Sequence, residues 1–312
     1  MADLKVERTL ISKSRDDYPI LEIAKGFRID RKSRNVSKNT LKFYGVEFGR
    51  FLQFCEPKNL QMIQEITPSI LREYLLHLEA TGRNPGGIHA GYRAIKSLFI
   101  WYENEIEPKD WHNPIRKVRA PKLSIKVIEP VPMETVKRLV ASCDGTRETD
   151  TRDRAMILFL LDTGARAFEA CGADLNDLDL INGDLIIRHG KGDKQRMVMI
   201  GKRTRQEVRR YLRSRNDNCP ALWITGSGER LTYEGLNQIL RRRAQYAEVK
   251  KPGLHDFRRA FALNCLRNGM DIFTLQKLMG HADLSVLRRY LAQNTEDLRQ
   301  AHATASPVDF AL

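Results

Sequence analysis

Thr163-Gly164-Ala165-Arg166-Ala167-Phe168-Glu169 follows the longest uninterrupted apolar run of the chain, Met156–Leu161, with a glycine turn and then an arginine. An arginine placed just after such a turn is presented at a helix end, where a cleft can receive it. Its planar guanidinium stays charged and grips two oxygens at once. Four more features follow in order: Gly190-Lys191-Gly192-Asp193-Lys194-Gln195-Arg196, then His255-Asp256-Phe257-Arg258, then Leu278-Met279-Gly280-His281, and finally Tyr290.

Each feature supplies a group that phosphodiester chemistry needs. A phosphodiester breaks without metal when fixed cations stabilise the charge on its non-bridging oxygens. His255 and Arg258 lie three residues apart and share a face on a helix. Gly280-His281 puts an imidazole at the end of an apolar helix, Phe273–Met279. Lys191 sits between two glycines at the tip of a hairpin pattern, Asp184–His189 and Gln195–Ile200, and an ammonium with that reach can protonate a leaving alkoxide. A phenol such as that of Tyr290 can attack phosphorus and split one hard step into two. Taken singly, each has a plainer reading: a solvated charge, a helix-capping histidine, a packed tyrosine.

Order and spacing change the reading. From Arg166 to Lys191 is 25 residues, from Arg258 to His281 is 23, and from His281 to Tyr290 is 9. The constellation resembles the tyrosine recombinase (phage integrase) family, in particular its small Xer-like members, over nearly the whole chain from about Ile20. The resemblance implies that Arg166 and Arg258 clamp the scissile phosphate. It implies that Lys191 protonates the 5′-hydroxyl leaving group, and that His255 and His281 bond the phosphate and assist proton transfer. Tyr290 resembles the nucleophile that forms a 3′-phosphotyrosyl link, and Glu169 the acid that supports the first arginine. Ala165, Phe257 and Leu287 depart from the family's usual residues but only neighbour the chemistry.

Because a phosphotyrosine stores the ester bond, the resemblance implies no cofactor, no ATP and no metal. The sequence holds no Walker-type Gly-x-x-x-x-Gly-Lys-[Ser/Thr] run. The expected partner is double-stranded DNA carrying recombination sites. Self-association to a tetramer would proceed through the C-terminal tail, where Phe310 and Leu312 are the expected anchors, and strand exchange through a Holliday junction. Two other readings remain open: a catalytically silent site-specific DNA clamp, and a type IB-like topoisomerase. The filled set of six catalytic positions argues against the first, and the helical N-terminal half and tail against the second.

That N-terminal half reads as a bundle. Leu41, Tyr44, Phe48, Phe51, Leu52 and Cys55 recur on one helical face after Ser37, the expected N-cap. Thr67-Pro68 opens a second helix that ends at Thr81-Gly82, and a third follows Asn84-Pro85; an earlier one covers about Ile20 to Ile29. The expected fold is mostly α with a small β-hairpin or sheet, a two-domain C-shaped DNA clamp. Residues 1–112 would form the helical core-binding domain, 113–132 a basic Pro-rich extended linker, and 133–312 a mixed α+β catalytic domain with an exchange tail. Only about 20 residues precede the first expected helix, too few for a separate arm-binding domain.

Charge supports a polyanionic partner. The 312 residues carry 53 Lys+Arg against 39 Asp+Glu, a net +14. Residues 1–126 hold 23 basic and 15 acidic side chains and the remainder 30 and 24, so both halves share the excess. Candidate phosphate contacts are Lys38, Lys42, Arg93 and Lys96 in the bundle, with Arg116, Lys117, Arg119 and Lys122 in the connector. No apolar run approaches the roughly 20 residues of a membrane span, and the N-terminus has no signal-peptide pattern. Five scattered cysteines without a Cys-x-x-Cys pair fit a reducing cytoplasm, neither a disulfide framework nor a zinc site.

Overall fold

The computed structural model describes residues 18–123, 130–188 and 195–280, with residues 299, 302, 303, 306, 308 and 309 beyond them. The chain divides into two compact units, Met1–Ile125 and Lys126–Leu312. Among the described residues no helix is long and apolar enough to cross a membrane.

The first unit packs four helices: α1 (Ile20–Ser33), α2 (Lys38–Cys55), α3 (Pro68–Ala80) and α4 (Pro85–Ile106). Three of them, α2, α3 and α4, start at side chains that satisfy orphan N–H groups of the first turn. Ser37 accepts from the Thr40 amide at 3.2 Å, Thr67 from Ile70 at 3.3 Å and Asn84 from Gly87 at 2.8 Å. Gly82, at φ +80°, ends the turn after α3. The core between the helices is aromatic: Phe27, Phe51, Tyr74, Phe99 and Tyr102 are buried, with Phe51 meeting Tyr74 edge-on at 5.0 Å. One carboxylate, Glu47, is also buried there, held by Arg83 and Arg50 at 2.7 Å each.

The connector differs from the extended strap expected over 113–132. Pro114–Lys117 forms a 3-10 turn, and Ile115 and Val118 are buried in the helical core. Backbone carbonyls of this stretch are taken by the bundle: Tyr92 Oη donates to Val118 O at 2.9 Å and Arg72 to Lys117 O at 3.1 Å. Burial of the apolar side chains at 115 and 118 holds this segment against the bundle, so it belongs to the first unit. At the other end Val131 packs into the second unit's core and donates its amide to Asp256 O.

The second unit is built around α6 (Glu148–Thr163), flanked by α5 (Met133–Ala141) and the short α7 (Ala167–Gly172). β1 (Leu178–Asp179), β2 (Asp184–Ile187) and β3 (Arg196–Met199) form one antiparallel sheet in the order β1-β2-β3. In its register Leu185 faces Val198 on the buried side and Ile186 faces Met197 on the exposed side. The expected hairpin is present, and β1 adds a third strand. α8 (Lys202–Ser214), α9 (Tyr233–Tyr246), α10 (Leu254–Arg267) and α11 (Ile272–Met279) complete the unit. Gly253 is the N-cap of α10, and Gly269 and Gly280, just past the ends of α10 and α11, take positive φ.

α6 is not amphipathic: its first turns bury Asp150, Thr151, Arg152 and Asp153. Asp153 is fully enclosed and accepts from Arg152, Arg242 and Arg243 at 2.6–2.9 Å, while Asp150 pairs with Arg243 at 2.7 Å. Burying these charges is tolerable only because each carboxylate oxygen has a cationic donor. The network locks the N-terminal end of α6, leaving its C-terminal end to carry the site.

Candidate active site

α6 ends at Gly164, which adopts the left-handed conformation at φ +57°. A Cβ there would lie 2.3 Å from Phe261 Cδ1 on α10, so the turn requires glycine for both conformation and space. Two residues on, Arg166 becomes the N-cap of α7 and its side chain stays partly open to solvent.

Glu169 organises what surrounds it. Its carboxylate accepts from the Arg166 amide and guanidinium at 2.8 Å each, and from two nitrogens of Arg196 at 2.8 and 2.6 Å. Arg196, the first residue of β3, sends its Nε to Leu278 O at 3.2 Å, near the end of α11. Gly280 permits that approach, because a Cβ would come within 2.9 Å of Arg196 Cδ. Burial alone would raise the Glu169 pKa. The Arg196 fork, the Arg166 amide and the Arg166 side chain outweigh it and hold the carboxyl at about 2.

Arg258 makes a second tie. It is 3% exposed, and its two terminal nitrogens donate at 2.6 Å each to Gly164 O and Met279 O. One side chain thereby fastens the turn before Arg166 to the end of α11. His255, one turn earlier on α10, is exposed at its edge. Its pKa is lowered, first by desolvation and then by the fields of Arg259, Arg258 and Arg166, with Asp256 opposing. Those fields place Arg166, Arg258 and His255 in one electropositive neighbourhood, where the imidazole favours its neutral form.

Four of the seven sequence-derived site residues, Arg166, Glu169, His255 and Arg258, are thus brought together from α6–α7 and α10. Lys191, His281 and Tyr290, and the tail residues Phe310 and Leu312, lie outside the described residues. The structure adds Arg196. It stood in the Gly190–Arg196 stretch, but its link to Glu169 spans 27 residues and left no local periodicity. Among the described residues no group of three His, Cys, Asp or Glu side chains could hold a metal ion. The eight candidate DNA contacts, Lys38, Lys42, Arg93, Lys96, Arg116, Lys117, Arg119 and Lys122, are all exposed. Arg116 differs from the rest, since Glu103 already holds its fork, with Nε 3.0 Å from Oε1 and Nη2 2.9 Å from Oε2.

Residues 131–297 match the model of the phage integrase family. That segment contains every sequence-derived catalytic residue. The chain is also 30% identical over 287 residues to tyrosine recombinase XerC 2 of Ralstonia nicotianae, covering 87% of this chain and 81% of that one. The chain belongs to the phage integrase family. It is a tyrosine recombinase, an enzyme that breaks and rejoins DNA. A further relative, tyrosine recombinase XerA of Thermococcus kodakarensis, is 30% identical over 88% of this chain and 91% of its own. In fold the recombinase resembles a XerH site-specific recombinase crystallised on palindromic difH DNA, with a TM-score of 0.73, 22% identity, and 90% and 84% of the two chains covered. The Tn1549 transposon integrase with circular intermediate DNA gives 0.72 at 19% identity, over 92% and 98%.

The Glu169 junction yields a stability prediction for the recombinase. A carboxyl lowered from 4.5 to about 2 contributes stability that is complete above its ordinary pKa and is lost as pH falls toward 2. That shift is worth about 3 kcal/mol. Glu169→Gln removes the negative charge and one of the two acceptor oxygens that face Arg196 and Arg166, and is expected to destabilise by a similar ~3 kcal/mol at pH 7. In urea titrations at pH 7 and pH 3, the gap between wild type and variant should be wide at pH 7 and narrower at pH 3. A gap that stays constant would mean that the carboxylate charge contributes nothing.

Proposed function

We propose that the enzyme is a site-specific recombinase that cuts each strand through Tyr290 and rejoins it without cofactor. Arg166 and Arg258 grip the non-bridging oxygens of the scissile phosphate. The Tyr290 oxygen attacks phosphorus while the P–O5′ bond breaks. The phenol proton passes to a histidine, and His255, kept neutral by the surrounding cations, is able to take it. Lys191 gives a proton to the departing 5′-oxygen, and His281 bonds the phosphate. Rejoining reverses these transfers at a new 5′-hydroxyl, so the energy of the first ester is retained.

The single observation that supports this reading most is the double tie made by Arg258. By holding Gly164 O and Met279 O it draws the turn that carries Arg166 toward the end of α11, the residue before Gly280-His281. A site meant to grip a phosphate from several sides needs such preorganisation, because donors already in place cost nothing to align during the reaction. Residues 1–112 serve as the core-binding half and 133–312 as the catalytic half. The exposed lysines and arginines of the bundle and connector, apart from the paired Arg116, contact DNA phosphates. Four subunits act on two sites through a Holliday junction, and the tail with Phe310 and Leu312 docks on a neighbour. Acting on chromosomal or mobile DNA, and holding five free thiols, the enzyme works in the cytoplasm.

A plasmid carrying two copies of the DNA that flanks this gene, incubated with protein in EDTA and without ATP, tests the reading. The expected product is a deletion or inversion between the two copies. Relaxation of plasmids irrespective of those copies would indicate a topoisomerase, and tight specific binding with intact plasmid a silent clamp; either would overturn the proposal.

A further inference from the structure

α8, Lys202-Arg-Thr-Arg-Gln-Glu-Val-Arg-Arg-Tyr-Leu-Arg-Ser214, is the most cationic element of the second unit, with one lysine and five arginines against a single glutamate. Its inner side is accounted for. Thr204, Val208 and Tyr211 are buried. Arg209 gives its guanidinium to Leu180 O at 2.6 Å, and Glu207 is taken by Arg154 of α6 at 3.0 Å. Its outer side is different. Lys202, Arg203, Gln206, Arg210 and Arg213 are exposed and fall within about 100° of the helix surface. No carboxylate among the described residues pairs with any of these four cations.

This arrangement opposes helix stability. Arg210 and Arg213 repel at i,i+3, Arg209 and Arg213 at i,i+4, and Lys202 and Arg203 occupy the first turn, where the helix dipole disfavours cations. The first turn has no acid to offset them. A helix meant only to cover α6 would carry acidic residues there, as α6 itself does with Glu148 and Asp150 in its own first turn.

Position adds a direction. Gly201, the N-cap of α8, donates its amide to Asp162 at 2.7 Å, in the last turn of α6. At the other end Ser214 shares a hydrogen bond with Thr151, in the first turn of α6, at 2.8 Å. α8 therefore runs antiparallel to α6, and its cationic row begins beside the turn that delivers Arg166. Eleven steps from Lys202 to Arg213 at 1.5 Å each make a row of about 16 Å, long enough to meet two or three successive phosphates of one strand.

We propose that the outer face of α8 binds the phosphate backbone of duplex DNA beyond the segment held at the Arg166 site. It adds affinity without reading sequence. The proposal rests on the recombinase reading and extends it to a surface that takes no part in the chemistry. Arginine forks without acidic partners suit phosphate oxygens, and their side-chain positions ask for no particular base.

The test uses the triple variant Arg203→Gln, Arg210→Gln, Arg213→Gln in the full chain, with duplexes of about 30 and 80 base pairs centred on the same site. Binding is measured from 50 to 300 mM salt. Each lost phosphate contact lowers the slope of log K against log salt by about 0.9, so a fall of about 2–3 is expected on the long duplex and little on the short one. Cleavage of the short duplex at saturating protein should be unchanged, which separates this proposal from the recombinase reading itself. An unchanged slope on both lengths, an equal fall on both, or loss of self-assembly with an intact slope would each overturn it. The last would point to an acidic protein surface instead. Arg203→Lys, Arg210→Lys, Arg213→Lys should retain the wild-type slope, and a variant with the same loss as the Gln form would also count against phosphate binding.

Discussion

Arg258→Lys is expected to slow strand cleavage by about 10³–10⁴-fold while leaving DNA binding within a few-fold of wild type. Two losses combine. Removing a preorganised donor from a developing phosphorane costs about 10²–10³ in rate. The second loss is positional. The guanidinium spans Gly164 O and Met279 O through two nitrogens at 2.6 Å each, and an ammonium, a point charge on a flexible stem, does not reproduce that planar fork. Freed from that tie, the Arg166 turn shifts, and displacement of about 1 Å near a reacting centre costs roughly another 10². The two effects overlap, because both act through one site, so they do not multiply in full. A buried carbonyl left without its donor also costs about 1–3 kcal/mol of stability. Single-turnover cleavage of a nicked site at saturating protein, beside urea unfolding, measures both. Cleavage within tenfold of wild type would mean that Arg258 holds the fold and does not touch the phosphate.

Tyr290→Phe should give a larger effect on chemistry and almost none on anything else. The substitution removes one oxygen, the proposed nucleophile, and keeps the ring. Without that oxygen no ester can form between protein and DNA, so SDS-stable adducts and recombinant products should both disappear. Site binding should stay within about twofold, since a neutral phenol contributes little to a salt-dependent backbone interaction. Adducts that persist in the Phe variant would assign the nucleophile to another side chain. Wild-type protein that binds its site tightly and never forms an adduct would have lost the reaction altogether.

The parts of this molecule that sequence reasoning reached are those governed by local rules. Ser37, Thr67 and Asn84 cap helices through contacts three residues away, and the apolar faces that follow repeat with the helical period. Asp184–Ile187 and Arg196–Met199 alternate buried and exposed positions on either side of a glycine-rich turn, so the hairpin was legible too. Arg166, Glu169, His255 and Arg258 were reached by motif, and the structure then supplied what motif could not: the carbonyls that Arg258 holds. Arg196 was missed as a site residue because its partner lies 27 positions upstream. The buried network of Asp150, Asp153 and Arg243 was missed because paired charges in a core look like a solvated surface until the fold brings them together. α9 escaped for a related reason. Gly235, Asn237 and three consecutive arginines blur its apolar face, and Leu236, Ile239 and Leu240 show their burial only in the fold. The stretch 113–118 misled because one proline and two basic residues outnumber the two apolar side chains that decide its packing.

Cutting through Tyr290 without metal or cofactor leaves a covalent trace on the protein. The most direct measurement takes wild-type protein incubated in EDTA with a nicked duplex carrying its site, quenched, digested with nuclease and protease, and analysed by peptide mass. The expected product is one nucleotide-bearing peptide, with the DNA 3′-phosphate esterified to Tyr290 and a free 5′-hydroxyl on the departing strand. A nucleotide on any other residue, or cleavage that appears only when a divalent metal is restored, would contradict it.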